Sequence, residues 1–175
     1  MAAATVYAVP QDIAFDGIRP RSIKTGKNGE FHFSGGFKLG AYKLYSRKDA
    51  DAHPDRSDSF YADPQIDAPK VDLTEDRPSA TVTLALGEKA GVLIGRVTDA
   101  DTGAALKAKL VFTDDDGNSH SVWATGKYRA LLPAGKNVTL IVMGMSPSYQ
   151  SKVPTAPLRF TAGQEMRLDI PLSKQ

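Results

Sequence analysis

Apolar and polar residues alternate along the segment 91–140, and clusters of turn-forming residues interrupt the alternation. The stretch 106–112, for example, places Lys107 and Lys109 on one face and apolar residues on the other. A period of two is typical of a β-strand that buries one face. The segment is therefore predicted to form four β-strands, which are separated by turn clusters at 99–103, 115–118 and 133–135.

The first half of the chain repeats parts of this pattern. The matching stretches, with the first copy given first, are 29–31 and 126–128, 40–44 and 135–140, and 81–86 and 167–172. By the same alignment 4–9 corresponds to 108–113, so the first copy has no counterpart of the strand 91–98. The polar, turn-rich stretch 46–64 is predicted to be a surface loop inserted into the first copy.

The repeat predicts two tandem domains, covering residues 1–87 and 88–175, of which the first lacks its initial strand. A missing strand would leave an open sheet edge beside 4–9. Such an edge would pair with a strand from a neighbouring molecule, giving a dimer, or with a strand from upstream sequence.

Several short motifs in the two copies resemble those of the carboxypeptidase regulatory-like domain. The second copy has Gly-x-Val-x-Asp at 95–99, Thr-Gly at 102–103, Thr-Gly-Lys-Tyr at 125–128 and Leu-Pro-Ala-Gly at 132–135, and the first copy has related stretches at 25–31 and 39–42. The resemblance implies an all-β fold of two tandem seven-stranded-type Greek-key β-sandwiches, transthyretin-like or prealbumin-like, the first without its initial strand. It also implies an accessory module of secreted or outer-membrane bacterial proteins.

Three activities associated with related sandwiches are not expected. A Lys-to-Asn or Lys-to-Asp isopeptide would need a lysine in the first strand, but 92–94 is Val-Leu-Ile. The transthyretin-like hydrolases end in Tyr-Arg-Gly-Ser and use paired histidines, whereas this chain ends in Leu-Ser-Lys-Gln and has only His32, His53 and His120. No His and Glu spacing matches a carboxypeptidase zinc site. The chain is therefore predicted not to be an enzyme and to need no cofactor.

The amino-acid composition argues against several further classes of structure and function. With 175 residues, 41% hydrophobic and 24% charged, the chain is predicted to be globular rather than disordered, and no apolar run is long enough to span a membrane. The net charge is only +2 with the two signs interspersed, which argues against nucleic-acid binding. There are no cysteines, so disulfides and thiolate metal sites are excluded.

Three aromatic residues are candidates for ligand binding: Phe60, Tyr61 and Tyr149. They lie in loop-like sequence and are predicted to be exposed, where a flat aromatic face can stack on a sugar ring. Trp123, by contrast, lies within a strand and is predicted to be buried in the core.

Two aspartate clusters, at 49–58 and 114–117, contain oxygen ligands of the type that calcium prefers. The first cluster lacks the bidentate Glu and the fixed Gly of a calcium loop, and a hairpin turn explains the second. Neither cluster is predicted to bind a metal.

These observations predict a non-catalytic tandem module that serves as a structural spacer or interaction unit of a bacterial secreted or envelope protein. Its location would be secreted, periplasmic or at the cell surface, and its partner would be a protein or a polysaccharide. The alternative is a carbohydrate-binding module that uses Phe60, Tyr61 and Tyr149.

Overall fold

The computed structural model describes residues 3–11, 20–62, 68–145, 149 and 156–174. Within these residues the chain is all-β apart from one short 3-10 helix at Asp49–Asp51, so the predicted fold class is confirmed. The strands are β1 Thr5–Pro10, β2 Arg21–Lys24, β3 Gly40–Arg47, β4 Lys70–Leu73, β5 Gly91–Asp99, β6 Lys107–Asp114, β7 Ser119–Thr125, β8 Lys127–Leu132, β9 Asn137–Gly144, β10 Leu158–Arg159, β11 Glu165–Arg167 and β12 Ile170–Leu172.

The contacts within the chain divide it into two compact units. Unit 1 comprises Met1–Asp58 and Ala62–Gly87, and unit 2 comprises Ser59–Tyr61 and Glu88–Gln175. The boundary after Gly87 coincides with the domain limit expected from the repeat, but Ser59–Tyr61 belongs to the second unit. Independent folding of each unit stays a prediction.

Unit 2 is a β-sandwich whose two layers enclose one core. In one layer, β5 pairs with β8 in antiparallel fashion and with both β11 and β12 in parallel. In the other layer, β6 lies between β7 and β9, and β10 extends the sheet beyond β9. The layers join at the turn between β7 and β8, where Thr125 is paired with Lys127.

The core of unit 2 forms from the inward positions of strands in both layers. Along β6, buried residues alternate with more accessible ones, as the sequence pattern predicted. Residues 119–125 form a fifth strand in a segment for which four were predicted. The buried core residues are Phe60, Leu93, Val97, Ala108, Leu110, Phe112, Ala124, Tyr128, Ala130, Leu132, Val138, Leu140, Val142, Phe160, Ile170 and Leu172.

Unit 1 contains one antiparallel sheet of order β2-β1-β3-β4 within the described residues. This order parallels β7-β6-β9-β10 of unit 2. The segments 31–33 and 81–86 have no strand assignment in the structure. Unit 1 is therefore a four-stranded sheet in the part of the chain that is described, rather than a sandwich of the expected strand number.

The prediction of an open sheet edge beside 4–9 is wrong. Residues Thr5 to Ala8 of β1 pair with β2, and the whole of β1 pairs with β3, so both edges of the strand are occupied. Only one of the four β2 residues is even partly buried. Because backbone pairing does not require apolar side chains, the sequence pattern contained no signal for β2. A dimer formed at that edge thus lacks its structural premise.

Candidate interaction surface

Phe60 and Tyr61 lie in the core region of unit 2 and not on an exposed loop. The Phe60 side chain is 0% exposed, so the exposure predicted for it is wrong. Its ring centroid lies 5.1 Å from that of Tyr61, edge to face, and 5.7 Å from that of His120, stacked. The Tyr61 hydroxyl donates a hydrogen bond of 3.0 Å to the carbonyl of Leu131. Both rings therefore hold their segment against the sandwich.

Tyr149 has a structural contact as well. Its ring is half-buried, and its hydroxyl donates a 2.7 Å hydrogen bond to Oδ2 of Asp99. Within the described residues, no ring contact joins Tyr149 to Phe60 or Tyr61. The three candidates are thus not united in one aromatic platform, and sugar binding by them stays a prediction that the burial of Phe60 does not favour.

Asp99 ends β5 and organises the turn that follows it. Its Oδ1 accepts hydrogen bonds from the backbone N–H of Asp101 at 3.0 Å and of Thr102 at 2.8 Å, and from the Thr102 hydroxyl at 2.9 Å. The hydrogen bond from Tyr149, followed by those from Thr102 and Asp101, holds the pKa of Asp99 below its ordinary value. An aspartate that accepts local backbone donors is typical of a turn, and here it fixes the chain reversal predicted at 99–103.

Replacement of Asp99 by Asn is expected to lower the melting temperature most at neutral pH. The folded-state pKa lies below the value of about 3.9 in an unfolded chain, so the carboxylate stabilises the fold above that pH. That stabilisation is lost as the pH falls through the folded-state pKa. Thermal melts between pH 7 and pH 2 should show the wild type and Asp99→Asn converging in acid.

Tyr149→Phe serves as the matched control, because it removes one hydrogen bond from Asp99 and keeps the carboxylate. Its effect on the melting temperature should have the same sign as that of Asp99→Asn and be smaller. A constant difference between wild type and Asp99→Asn across the pH range would contradict the assigned role of Asp99.

Asp114 organises the turn between β6 and β7 in a similar way. Its Oδ1 accepts hydrogen bonds from the backbone N–H of Asp116 at 3.0 Å and of Asn118 at 2.9 Å, and Lys136 Nζ lies 2.8 Å from its Oδ2. Desolvation is the largest single influence and raises its pKa, but the hydrogen bonds from Lys136 and Asn118 outweigh it and lower the pKa. The carboxylate thus forms an ion pair that connects this turn to the start of β9.

The carboxylates of the two aspartate clusters have partners within the protein. In the first cluster, Lys48 is paired with Asp51 and Oδ1 of Asp55 accepts hydrogen bonds from Ser57. In the second, Asp115 accepts hydrogen bonds from Asn137. Among the described residues, no group of three or more His, Cys, Asp or Glu side chains has an arrangement that would hold a metal ion.

The outer face of β6, β7 and β9 carries an exposed apolar surface, which we call the Trp123 face. The Trp123 side chain is 52% exposed, and it lies opposite Lys109 of the central strand β6. On the other side of β6, Met143 of β9 lies opposite the same lysine. The further apolar residues of this face are Val111, which is half-buried, Ile141, which is 41% exposed, and Met145, which is 51% exposed.

Two lysines give the Trp123 face a positive charge. The Nζ atoms of Lys107 and Lys109 each lie 6.0 Å from the centroid of the Trp123 ring, at the outer limit of a cation–π contact. Lys107 is exposed and Lys109 is half-buried, and a lysine can cover apolar surface with its stem while its ammonium group stays in water. The face therefore combines a large aromatic ring, aliphatic and thioether side chains, and two cations.

The burial predicted for Trp123 is wrong, and Trp123 was not among the predicted site residues. The prediction rested on the position of Trp123 within a strand, where a large aromatic side chain is usually buried. The alternation along β7 contained the opposite signal, because Ala124 is fully buried and adjacent strand residues point to opposite faces. The lysines at 107 and 109 already marked the outer face of the neighbouring strand.

No helix in the described part of the chain is both long enough and apolar enough to cross a membrane.

Comparison with known proteins shows no family membership. No family model matches the chain, and no curated protein matches it. The resemblance to the carboxypeptidase regulatory-like domain therefore stays a prediction.

Several solved structures are similar to this chain at a low level. The Bacillus anthracis TIE protein matches with a TM-score of 0.43 and 15% identity over 99% of this chain and 31% of its own. The shaft pilin SpaA from Lactobacillus rhamnosus GG matches with a TM-score of 0.38 and 12% identity over 100% and 86%. The Streptococcal ancillary pilin matches with a TM-score of 0.34 and 18% identity over 100% and 58%. The chain thus spans less than a third of the TIE protein, and likeness at this level supports no conclusion about function.

Proposed function

We propose that this chain is a non-catalytic interaction module of a bacterial secreted or envelope protein, and that it binds a protein partner through the Trp123 face. The observation that carries the proposal is the exposure of Trp123, Ile141 and Met145 on one sheet face. Contiguous exposed apolar surface on a folded protein marks interaction sites. Trp and Met are also enriched at the centres of protein interfaces.

The two lysines define the chemistry of the partner. Lys107 and Lys109 lie beside the aromatic ring, so an interface over Trp123 would bring both ammonium groups close to the partner surface. Complementary charges increase the association rate and set the orientation of the partners. The partner surface should therefore have apolar residues at its centre and carboxylates at its rim.

The buried carboxylates have structural roles, which supports a non-catalytic module. Asp99 and Asp114 are both buried, and their oxygens accept hydrogen bonds from the turns that they organise. No buried side-chain nitrogen or oxygen lacks a hydrogen-bond partner among the described residues. The carboxylates of Asp99 and Asp114 thus hold their turns in place.

A polysaccharide ligand is the second candidate, and the exposed Trp123 ring is the observation that favours it. An indole face offers a broad apolar surface for stacking on a sugar ring. The adjacent lysines would select a sugar with carboxylate or phosphate groups. In this carbohydrate-binding hypothesis the stacking residue is Trp123, because Phe60 is buried.

Replacement of Trp123 by Ala is expected to weaken partner binding about 30-fold or more, which corresponds to a hot-spot loss of ~2 kcal/mol. Stability should change by no more than about 0.5 kcal/mol, because the ring is half exposed. A photo-reactive phenylalanine analogue placed at Ile141 would capture a partner from the secreted fraction of the source cells. The crosslink should form in the wild-type background and disappear with Trp123→Ala.

Charge reversal provides the matched control. Lys109→Glu should reduce the crosslink, whereas Arg129→Glu, at an exposed position on β8, should leave it unchanged. A glycan array with the same variants tests the second candidate. Sugar binding by the wild type that is lost with Trp123→Ala would show that the ligand of this face is a polysaccharide and not a protein. An unchanged crosslink and no glycan signal in Trp123→Ala would overturn the proposal.

A further inference from the structure

The outer face of one layer of unit 2 carries a cluster of four cations. In this layer, which is formed by β8, β5, β11 and β12, Arg96 lies opposite Lys127. Two residues before Arg96, Ile94 lies between Arg129 on β8 and Arg167 on β11. Side chains at opposing positions of a sheet project from the same face. All four cationic side chains are exposed, and we call this set the Arg129 face.

Strand register brings these charges together on the side away from the core. The neighbours of Arg129 on β8, Tyr128 and Ala130, are buried, and so is Val97, which follows the arginine of β5. Adjacent strand residues point to opposite faces, so the cations point outward. In the sequence the two signs of charge are interspersed, which conceals the cluster. The Trp123 face belongs to the other layer of the sandwich, so the two surfaces are separate.

Carboxylates neutralise only part of the Arg129 face. Oδ2 of Asp169 accepts hydrogen bonds from Nε of Arg167 at 3.1 Å and from its Nη2 at 3.0 Å. Oδ1 of the same carboxylate accepts a hydrogen bond of 3.0 Å from the backbone N–H of Arg96. Glu165, the other acidic residue on β11, lies opposite Val92 and not opposite a cation. The face therefore keeps an excess of positive charge.

Two of the cations face each other across the sheet. Arg96 and Lys127 occupy directly opposing positions, where like charges destabilise a sheet and opposite charges stabilise it. In the ranges that the structure describes, the side chains of Lys127 and Arg129 make no hydrogen bond or ion pair. An arrangement that costs stability and has no partner inside the protein is expected at a functional site. An external anion would supply the partner.

The spacing of the cations indicates a ligand with several negative charges. The side chains of Arg96 and Lys127 begin about 5 Å apart, so they can hold one anion together. Arg129 lies two residues along β8 from Lys127, a separation of about 7 Å, and would hold a second anion. Ile94 is half-buried among these charged side chains, so the face lacks the apolar centre of a protein interface. A chain of linked anions fits these features.

The donors of the Arg129 face favour phosphate over carboxylate. A guanidinium group forms paired hydrogen bonds with phosphate oxygens, and an ammonium group adds three donors of its own. Phosphate oxygens diverge in three dimensions, so an arginine and a lysine on neighbouring strands can bind one phosphate from two sides. A carboxylate has two oxygens in one plane, which suits a single guanidinium fork.

We propose that the Arg129 face binds a linear phosphodiester polymer whose successive phosphates lie about 7 Å apart, the spacing of alternate residues on a strand. One phosphate lies between Arg96 and Lys127, and the next lies on Arg129. Arg167 borders the site and stays paired with Asp169. The inference does not rest on the Trp123 face, so each proposal can fail without the other.

Titration calorimetry of the full chain with a linear glycerol phosphate oligomer tests the proposal. Three ionic contacts on a flexible chain should lower the affinity roughly 20-fold between about 50 mM and 200 mM salt, because bound counterions are released. A carboxylate oligomer of equal charge should bind more weakly, since it cannot be shared between Arg96 and Lys127 in the same way. Vesicles of phosphatidylglycerol are titrated in parallel.

A matched pair of charge reversals locates the site. Arg129→Glu should weaken binding at least about tenfold, because it replaces a contact by a repulsion. Arg159→Glu makes the same change at an exposed position on β10, in the other layer, and should leave the affinity unchanged. Lys127→Gln should weaken binding about threefold and also raise the melting temperature, because it removes the like-charge pair.

Several outcomes would contradict a phosphodiester site on the Arg129 face. They are an absence of binding at low salt, equal weakening by Arg129→Glu and Arg159→Glu, and equal or tighter binding of the carboxylate oligomer. Binding to the vesicles but not to the oligomer would make this face a membrane contact instead. Melting temperatures of the variants close to that of the wild type show that a loss of binding is not a loss of folding.

Discussion

Phe60→Ala is expected to lower the free energy of unfolding of unit 2 by about 3 to 5 kcal/mol, the range for removing a fully buried aromatic ring. The Phe60 ring is 0% exposed and contacts both Tyr61 and His120. Its removal would leave a cavity that these two rings line. Urea unfolding, followed by the fluorescence of the single tryptophan Trp123 on β7 of unit 2, measures the loss.

The control for this prediction is Met145→Ala. The Met145 side chain is 51% exposed, so its truncation should change stability by no more than about 0.5 kcal/mol. If Phe60→Ala were as stable as Met145→Ala, the placement of Phe60 in the core of unit 2 would be wrong. A ligand-stacking residue would give the opposite pattern, with binding lost and stability kept.

Local patterning explains which parts of the fold were predictable from the sequence. Alternation within 106–112 correctly assigned the two faces of β6, because adjacent side chains on a strand must point to opposite sides. The turn at 99–103 was also predictable, since Asp99 supplies the acceptor for the N–H groups of that turn. Both features depend only on neighbouring residues.

The errors concern contacts between residues far apart in the chain. Phe60 lies in a polar, turn-rich stretch, and nothing nearby in sequence indicates that its ring stacks on His120. The pairing of β2 with β1 depends on backbone groups that every sequence provides. Such contacts are decided by tertiary packing, which local periodicity does not report.

The candidate site was missed for a different reason. The pattern of β6 identified the solvent-facing side of the sheet, but Trp123 was assigned to the core because it lies within a strand, without using its register opposite Lys109. An exposed large aromatic residue departs from the rule that such side chains are buried. Residues that break such a rule, as an exposed tryptophan does, are expected at functional sites.

Gly95→Ala is expected to destabilise unit 2 by about 3 kcal/mol, because the added methyl group has no space. A Cβ at Gly95 would overlap the backbone carbonyl of Leu168 and would lie 2.9 Å from the Tyr128 hydroxyl. That hydroxyl donates a 2.6 Å hydrogen bond to the same carbonyl, and the Leu168 N–H bonds to Ile94. The substitution would separate β5 from the bend between β11 and β12.

Gly103→Ala is the matched control, since it adds the same methyl group where no atom beyond the two neighbouring residues lies within 4 Å. Its φ of +70° is unfavourable for alanine, so a loss of about 1 kcal/mol is expected from the backbone alone. Urea unfolding of both variants measures the difference. Equal losses would contradict the close approach of the Leu168 carbonyl to Gly95, because Gly95 has no positive φ that would disfavour alanine. A larger loss for Gly95→Ala would show that β5 can pair with β11 and β12 only because Gly95 carries no side chain.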